Sequence, residues 1–154
     1  MRATLLFIAA VLAASAAGAE EADPRGLWLT ASGNLEVRVA PCGAAALCGK
    51  VARVIANQSM SRPGEAMAAD AEPAHEGMDI LSDFLPSASE TTAEGRSLTT
   101  EWRGRIFNRE NGKTYDCLMS IGPAGELRLR AYVGLPLFGK TQAWQRVPGV
   151  EAQR

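Results

Sequence analysis

The stretch "WRGRIFNRENGKTYDCLMSI", residues 102–121, decides the fold, because two arms of alternating apolar residues flank an Asn-Gly pair. Asn-Gly is the strongest short-range signal for a two-residue type I′ hairpin, since both central residues of that turn need positive φ. A turn at residues 111–112 places the two arms in antiparallel register. The predicted pairs are Glu110–Lys113, Asn108–Tyr115, Ile106–Cys117, Gly104–Met119 and Trp102–Ile121.

In this register one face of the hairpin is mainly apolar and the other carries charge. Arg103 and Arg105 lie on the outward face, and a slip of one residue would turn both into the core. Gly104 has no side chain to place opposite its partner, which suits a bend where a sheet curls. The turn and the alternation therefore support the same two-stranded ribbon.

Similar short strands occur on both sides of the ribbon, and turn sequences separate them. In "ELRLRAYVG" the inward residues are Leu127, Leu129, Ala131 and Val133, and the outward ones are Arg128, Arg130 and Tyr132. The other predicted strands are "GLWLT" at 26–30, "NLEVRVA" at 34–40, "LCGKVARVI" at 47–55 and "KTQAWQRV" at 140–147. An antiparallel meander with one apolar face must cover that face or close on itself. We therefore expect an all-β fold, closed into a small barrel.

Residues 56–97 differ from the rest of the chain, because they are polar, rich in alanine and interrupted by prolines. This composition favours a long mobile loop. Within it, "MDILSDFL" at 78–85 has the spacing of one short helix that packs Ile80, Leu81, Phe84 and Leu85 and ends before Pro86.

Residues 1–19 have the pattern of a secretory signal: Arg2, an apolar run over 5–12 and a small-residue cleavage site at 17–19. The run is too short to span a bilayer, and no later stretch approaches the ~20 apolar residues that a membrane helix needs. We therefore expect a periplasmic or secreted protein with a single β-barrel domain over residues 20–154.

Composition and cysteines agree with export. The chain has 154 residues and a formal net charge of −1, which gives no indication of nucleic-acid binding. Cys42 and Cys48 are predicted to form a disulfide, which the chain-entropy model values at roughly 2–2.5 kcal/mol. Cys117 is left over; we expect a buried inert thiol, the alternatives being a reactive thiol and an intermolecular bridge.

Two family resemblances rest on these residues. Gly26 and Trp28 at the start, with Arg146 late in the last strand, resemble lipocalin-like (calycin) barrels, which implies that Arg146 stacks on Trp28 at the closed end. The strands at both ends of the chain also resemble domain-of-unknown-function family 2147, a family of small exported bacterial proteins. That family usually has proline where this chain has Arg109. The resemblance implies export and a small barrel, and it implies no activity.

The inward face of the ribbon supplies the candidate ligand-binding residues Trp102, Asn108, Tyr115 and Met119. A barrel of about eight strands has room either for a filled core or for one small ligand. Asn108 and Tyr115 are polar and near the turn, so they are expected at the mouth. The predicted function is binding of a small apolar or amphipathic molecule at the open end, with part of the 56–97 loop as a lid.

The alternative is an envelope interaction or structural protein with a filled core, which acts through an outer basic strip on an anionic partner. The residues of that strip are Arg103, Arg105, Arg109, Lys113, Arg128 and Arg130. A solvated strand face that discourages edge pairing explains the same residues.

Catalytic and metal-binding patterns are sparse. His75, the single histidine, has acidic neighbours, but one histidine in an acidic loop is weak evidence for a metal. The sequence has no Gly-x-Ser-x-Gly elbow and no paired-histidine zinc motif. We therefore predict no enzyme, no cofactor and no metal.

Overall fold

The computed structural model describes residues 22–68 and 71–149, so the predicted signal segment lies outside the described residues. Within them, eight strands form one closed antiparallel barrel, as predicted. The strands are β1 (Gly26–Leu29), β2 (Leu35–Pro41), β3 (Leu47–Val54), β4 (Asp79–Thr91), β5 (Ser97–Asn108), β6 (Lys113–Ile121), β7 (Leu127–Tyr132) and β8 (Lys140–Arg146). A 3₁₀ turn at Pro136–Phe138 is the only helical element among these residues.

The barrel closes where the first and last strands meet. Each strand pairs with the next one in the chain, and β8 returns to β1 with Arg146 opposite Trp28. Closure removes the free sheet edges that would otherwise present unpaired backbone groups. The core is inside the barrel, and its fully buried large side chains include Trp28, Val37, Leu81, Phe84, Met119, Leu127 and Leu129.

The β5–β6 hairpin has the predicted faces, but the predicted register is wrong by two residues. A four-residue loop at 109–112 joins the strands, and the observed pairs include Trp102–Met119, Gly104–Cys117, Ile106–Tyr115 and Asn108–Lys113. Asn111 does not have the positive φ that a type I′ turn requires. Gly112 alone has it, at 70°, and donates its N–H to the Asn108 carbonyl over 2.8 Å. Because the shift is two residues, every side chain keeps its face.

The helix predicted over residues 78–85 is wrong, because residues 79–85 begin the 13-residue strand β4. Ile80, Leu81 and Phe84 are buried as expected, but Leu85 is 50% exposed. Irregular pairing with β3 and β5, together with a φ of 56° at Asp83, rotates the strand so that apolar residues at helix-like spacing all face inward. Among the described residues, the non-strand parts of the predicted loop are therefore 56–78 and the β4–β5 turn at 92–96. We call residues 55–78, which link β3 to β4, the central connection.

Glycines on both neighbouring strands accommodate β4. A Cβ added at Gly49 of β3 would lie 2.9 Å from Leu81 side-chain atoms, and one at Gly104 of β5 would lie 2.6 Å from Phe84 Cγ. The absent side chains let the bulky residues of β4 fill the barrel at these two points.

Strand β7 ends one residue earlier than its alternation suggests. Tyr132, predicted to point outward, is buried, whereas Val133, predicted inward, is 75% exposed. Tyr132 is the last residue of the strand, so Val133 lies beyond it. Gly134, with a φ of 77°, then turns the chain away from the barrel wall. The period-two pattern therefore stops predicting burial at this point.

The predicted disulfide is present. Cys42 and Cys48 are bonded, with their Cα atoms 5.7 Å apart, across the β2–β3 connection. Cys117 is free and buried, and burial raises the pKa of its thiol to about 12. The expected burial is confirmed, and the raised pKa disfavours the reactive thiolate at neutral pH.

Candidate functional site

One end of the barrel is open. It carries the β1–β2, β3–β4, β5–β6 and β7–β8 connections, and a cavity of about 990 Å³ opens to solvent between them. This volume is at the upper limit of the ~300–1,000 Å³ that small-molecule sites occupy. Its buried apolar lining is formed by Leu35, Ile80, Ile106 and Trp144. We call this part the floor and the surrounding polar residues the rim.

The floor is apolar because each of its residues belongs to the inward set of its own strand. Trp144 is only 2% exposed, and its indole N–H donates to Gln142 Oε1 over 2.8 Å. With that donor satisfied, the ring presents an apolar surface to the cavity. Such a floor suits hydrocarbon more than a strongly polar molecule.

Asn108 and Tyr115 lie on the rim, together and near the hairpin loop. Their polar groups are partly used locally: Asn108 Oδ1 accepts the Glu110 N–H over 2.9 Å, and Asn111 Nδ2 donates to the Tyr115 hydroxyl over 2.8 Å. These bonds stabilise the four-residue loop in place of the type I′ turn. The Tyr115 hydroxyl can still donate to a ligand.

Trp102 and Met119 do not lie with those two residues. They are a cross-strand pair, 8% and 0% exposed, and they belong to the core, away from the cavity lining. The four residues predicted to bind a ligand are therefore split between the rim and the packed interior. Their shared face was predicted from alternation, which does not indicate depth along the barrel axis.

The central connection is fixed to the rim by Glu110 and Asn34. The Glu110 carboxylate accepts hydrogen bonds from the hydroxyls of Ser59 and Ser61 and from backbone N–H groups of residues 60 and 61. The Ser59 hydroxyl is the main reason that the pKa of Glu110 is below its ordinary value. The Asn34 side chain both donates to and accepts from the backbone of Gln58. Part of the connection is thus held beside the cavity mouth.

Arg109 is the functional candidate that the sequence placed wrongly. It was predicted on the outward side or at its rim, but it is 3% exposed and lines the cavity. Its Nη1 donates to Asn57 Oδ1 over 3.0 Å and to the Glu72 carbonyl over 3.2 Å. Its Nη2 is buried without a hydrogen-bond partner among the described residues. Burial lowers the pKa of this guanidinium, because the charged form loses hydration.

The available signal at position 109 was the family resemblance, which implies proline where this chain has arginine. An arginine in a hairpin loop ordinarily extends into solvent, so its burial could not be predicted from alternation. The backbone supports the inward position, since the Arg109 carbonyl accepts the Glu72 N–H over 3.0 Å. Contact with the central connection, distant in sequence, decides where this side chain lies.

The opposite end of the barrel is closed by the predicted cation–π pair. The Arg146 guanidinium carbon lies 4.2 Å from the Trp28 ring centre. Arg146 also donates to the carbonyls of Asp23 and Arg25, and the Trp28 indole donates to the Pro24 carbonyl. A Cβ on Gly26 would lie 2.7 Å from Arg146 Nη1, so glycine at this position leaves space for the guanidinium. This end is a structural plug.

The outer basic strip is largely compensated. Arg105 pairs with Asp83 over 3.5 Å, and Arg128 pairs with Glu126 over 2.8 Å. Arg130 is directed to the carbonyls of the β7–β8 connection, and Arg109 is buried. The predicted strip is therefore not a continuous field of free cations.

Groups that could hold a metal ion are not brought together in the described part of the chain. His75 Nδ1 lies 3.0 Å from the Glu76 carbonyl. Over residues 22–68 and 71–149, no set of three or more His, Cys, Asp or Glu side chains is placed to hold a metal ion. The same residues contain no helix that is long and apolar enough to cross a bilayer.

These features define a small antiparallel β-barrel with one plugged end and one open cavity. The chain belongs to the family described as "Uncharacterized protein conserved in bacteria (DUF2147)", which residues 26–146 match. The predicted family is thereby confirmed. No curated protein and no solved structure matches the chain.

Proposed function

We propose that this protein is exported and binds a small apolar or amphipathic molecule in its open end, in the manner of lipocalin-like barrels. The observation that carries the proposal is the cavity of about 990 Å³ with an apolar floor and a polar rim. Each Å² of apolar surface that a ligand removes from water there contributes about 25 cal/mol. The disulfide supports export, because such bonds persist in oxidising compartments.

The rim indicates how an amphipathic ligand would be oriented. Its hydrocarbon part would contact Trp144 and Ile106, and its polar end would lie near Tyr115 and Arg109. Arg109 Nη2, buried and unpartnered among the described residues, suits an acidic or carbonyl oxygen. A ligand oxygen reaches it only if the residues around it move, since that atom is covered from solvent.

Fluorescent-probe binding on paired alanine variants tests the proposal. Ala131 lines the cavity, whereas Ala143 is exposed on the outer surface. Ala131→Phe fills part of the cavity, and Ala143→Phe adds the same ring outside. The probe is N-phenyl-1-naphthylamine, added to protein from which copurified lipid has been extracted. We expect Ala131→Phe to weaken probe binding about tenfold or more, with Ala143→Phe at the wild-type value.

Two results of the probe experiment would contradict ligand binding in the cavity. Absence of saturable probe binding by the wild-type protein would remove its basis. Equal binding by both phenylalanine variants would place the probe outside the cavity. Urea unfolding of each variant shows that the barrel is intact, and native mass spectrometry of unextracted protein identifies any copurified molecule.

An anionic partner on the outer basic strip is the second candidate, and it has less support. Arg105 and Arg128 are paired with carboxylates, which lowers the charge available to a partner. Arg103 remains exposed on that face. Loss of a captured envelope partner on Arg103→Glu, with probe binding unchanged, would favour this candidate.

A further inference from the structure

The β7–β8 connection exposes a concentrated apolar surface. Within residues 133–138, which we call the apolar loop, the exposed fractions are 75% for Val133, 61% for Leu135, 78% for Leu137 and 76% for Phe138. Other exposed large apolar residues of the described chain reach at most 50%. Exposed apolar clusters of this kind mark interaction sites on soluble domains.

The side chain of Arg130 on β7 holds the apolar loop in this conformation. Arg130 Nε donates to the Pro136 carbonyl over 2.6 Å, and Nη2 donates to the Leu137 carbonyl over 3.1 Å. Its Nη1 bonds the Thr141 hydroxyl over 2.9 Å, which anchors the guanidinium to β8. The backbone is therefore tied to the barrel while the apolar side chains point into solvent.

Cations surround the apolar loop. Lys140 follows it after Gly139, Arg130 hydrogen-bonds its carbonyls, and Lys113 and Val133 line the same cleft of about 540 Å³. None of the three forms an ion pair with a described carboxylate. Asp116 is the acidic residue in the lining of that cleft. The local charge is therefore positive around an apolar tip.

We propose that the apolar loop docks this protein on an anionic lipid bilayer, with its side chains among the acyl chains and the cations at the headgroups. An apolar tip with basic flanks has the pattern that binds anionic membrane surfaces. A second copy of the chain fits less well, because a two-fold contact through this loop would bring like cations together. Val133 and Phe138 also line the cavity, so docking places the cavity mouth beside the lipid.

Vesicle co-sedimentation tests the docking surface independently of the proposed cavity function. Vesicles of phosphatidylcholine with one quarter phosphatidylglycerol are compared with vesicles of phosphatidylcholine alone. Leu137 is not part of the cavity lining, so Leu137→Glu changes the loop without changing the cavity. Leu85→Glu is the matched control, because Leu85 is an exposed leucine on β4. Probe binding to the cavity is measured on the same samples.

The expected result is binding to the anionic vesicles that Leu137→Glu weakens about tenfold or more and Leu85→Glu leaves unchanged. Lys140→Glu is expected to weaken it about fivefold, with the loss shrinking at high salt. Failure of the wild-type protein to bind these vesicles overturns the proposal, as does equal loss in both leucine variants. A wild-type dimer that Leu137→Glu converts to a monomer would assign the surface to a second copy instead.

Discussion

Replacing Gly104 with alanine tests the packing that turns residues 78–85 into a strand. A Cβ on Gly104 would lie 2.6 Å from Phe84 Cγ and 2.6 Å from the Ser82 carbonyl oxygen. Ordinary contact begins near 3.4 Å, so β4 and β5 must separate by about 0.8 Å at this point. Phe84 is fully buried, so its ring cannot swing out into solvent without disturbing the core. Overpacking of this kind costs about 1–3 kcal/mol of unfolding free energy.

Gly43→Ala is the matched control. Its nearest neighbour would be Ala46 Cβ at 3.8 Å, and Gly43 does not have positive φ. Alanine there is expected to leave the unfolding free energy unchanged or to raise it by about 0.4–1 kcal/mol, because the unfolded chain loses freedom. Urea unfolding followed by tryptophan fluorescence measures both variants. A wild-type midpoint for Gly104→Ala, or equal losses in the two variants, would refute the packing of Phe84 against β5.

Three further predictions concern the two ends and the free thiol. Arg146→Met removes the contact with Trp28 and leaves backbone carbonyls without their donor. Urea unfolding should therefore show a loss of about 1–3 kcal/mol in the free energy of unfolding. An unchanged urea midpoint would contradict the role of Arg146 in closing this end. Because the pKa of Glu110 is lowered from 4.5 in the fold, its stabilisation exists above pH 4.5 and is lost as pH falls through the lower folded value. The stability difference between wild type and Glu110→Gln should therefore shrink on acidification, and a constant difference in urea midpoints would rule out this contribution. Cys117, whose pKa is about 12, should react with a thiol reagent at neutral pH only after unfolding; rapid labelling of the native protein would show that it is accessible.

The alternation of apolar and polar residues predicted the barrel, because the direction of a side chain in a strand depends only on its position along that strand. Successive side chains of a strand point to opposite faces, so apolar residues at every second position already indicate which side is buried. Arg103 and Ile106 could be assigned to opposite faces from the sequence, and the structure agrees. The resemblance at Gly26, Trp28 and Arg146 likewise predicted which residues meet at the closed end.

The same reasoning was wrong where contacts distant in sequence decide the conformation. Ile80, Leu81 and Phe84 have helix-like spacing, but Gly49 and Gly104 on neighbouring strands provide space for a bulged strand. The hydrogen bonds of a helix lie within the segment itself, so the sequence of residues 78–85 was consistent with a helix. The two glycines that favour a strand lie outside this segment, and the segment gives no sign of them.

The candidate site was predicted only in part. Asn108 and Tyr115 lie on the rim as expected, because closeness to the turn indicates closeness to the mouth. Trp102 and Met119 are in the core, since depth along the barrel depends on closure and on strand length. Arg109 was placed outside because its inward contacts come from the central connection.

By itself, then, the sequence determined the strands other than β4, most of the buried face, the disulfide and the family, because each depends on neighbouring residues or on residue identity. The hairpin register, the path of β4, the cavity and the burial of Arg109 were decided only by the tertiary structure. These features depend on how much space remains once eight strands have closed, and that quantity is a property of the whole barrel.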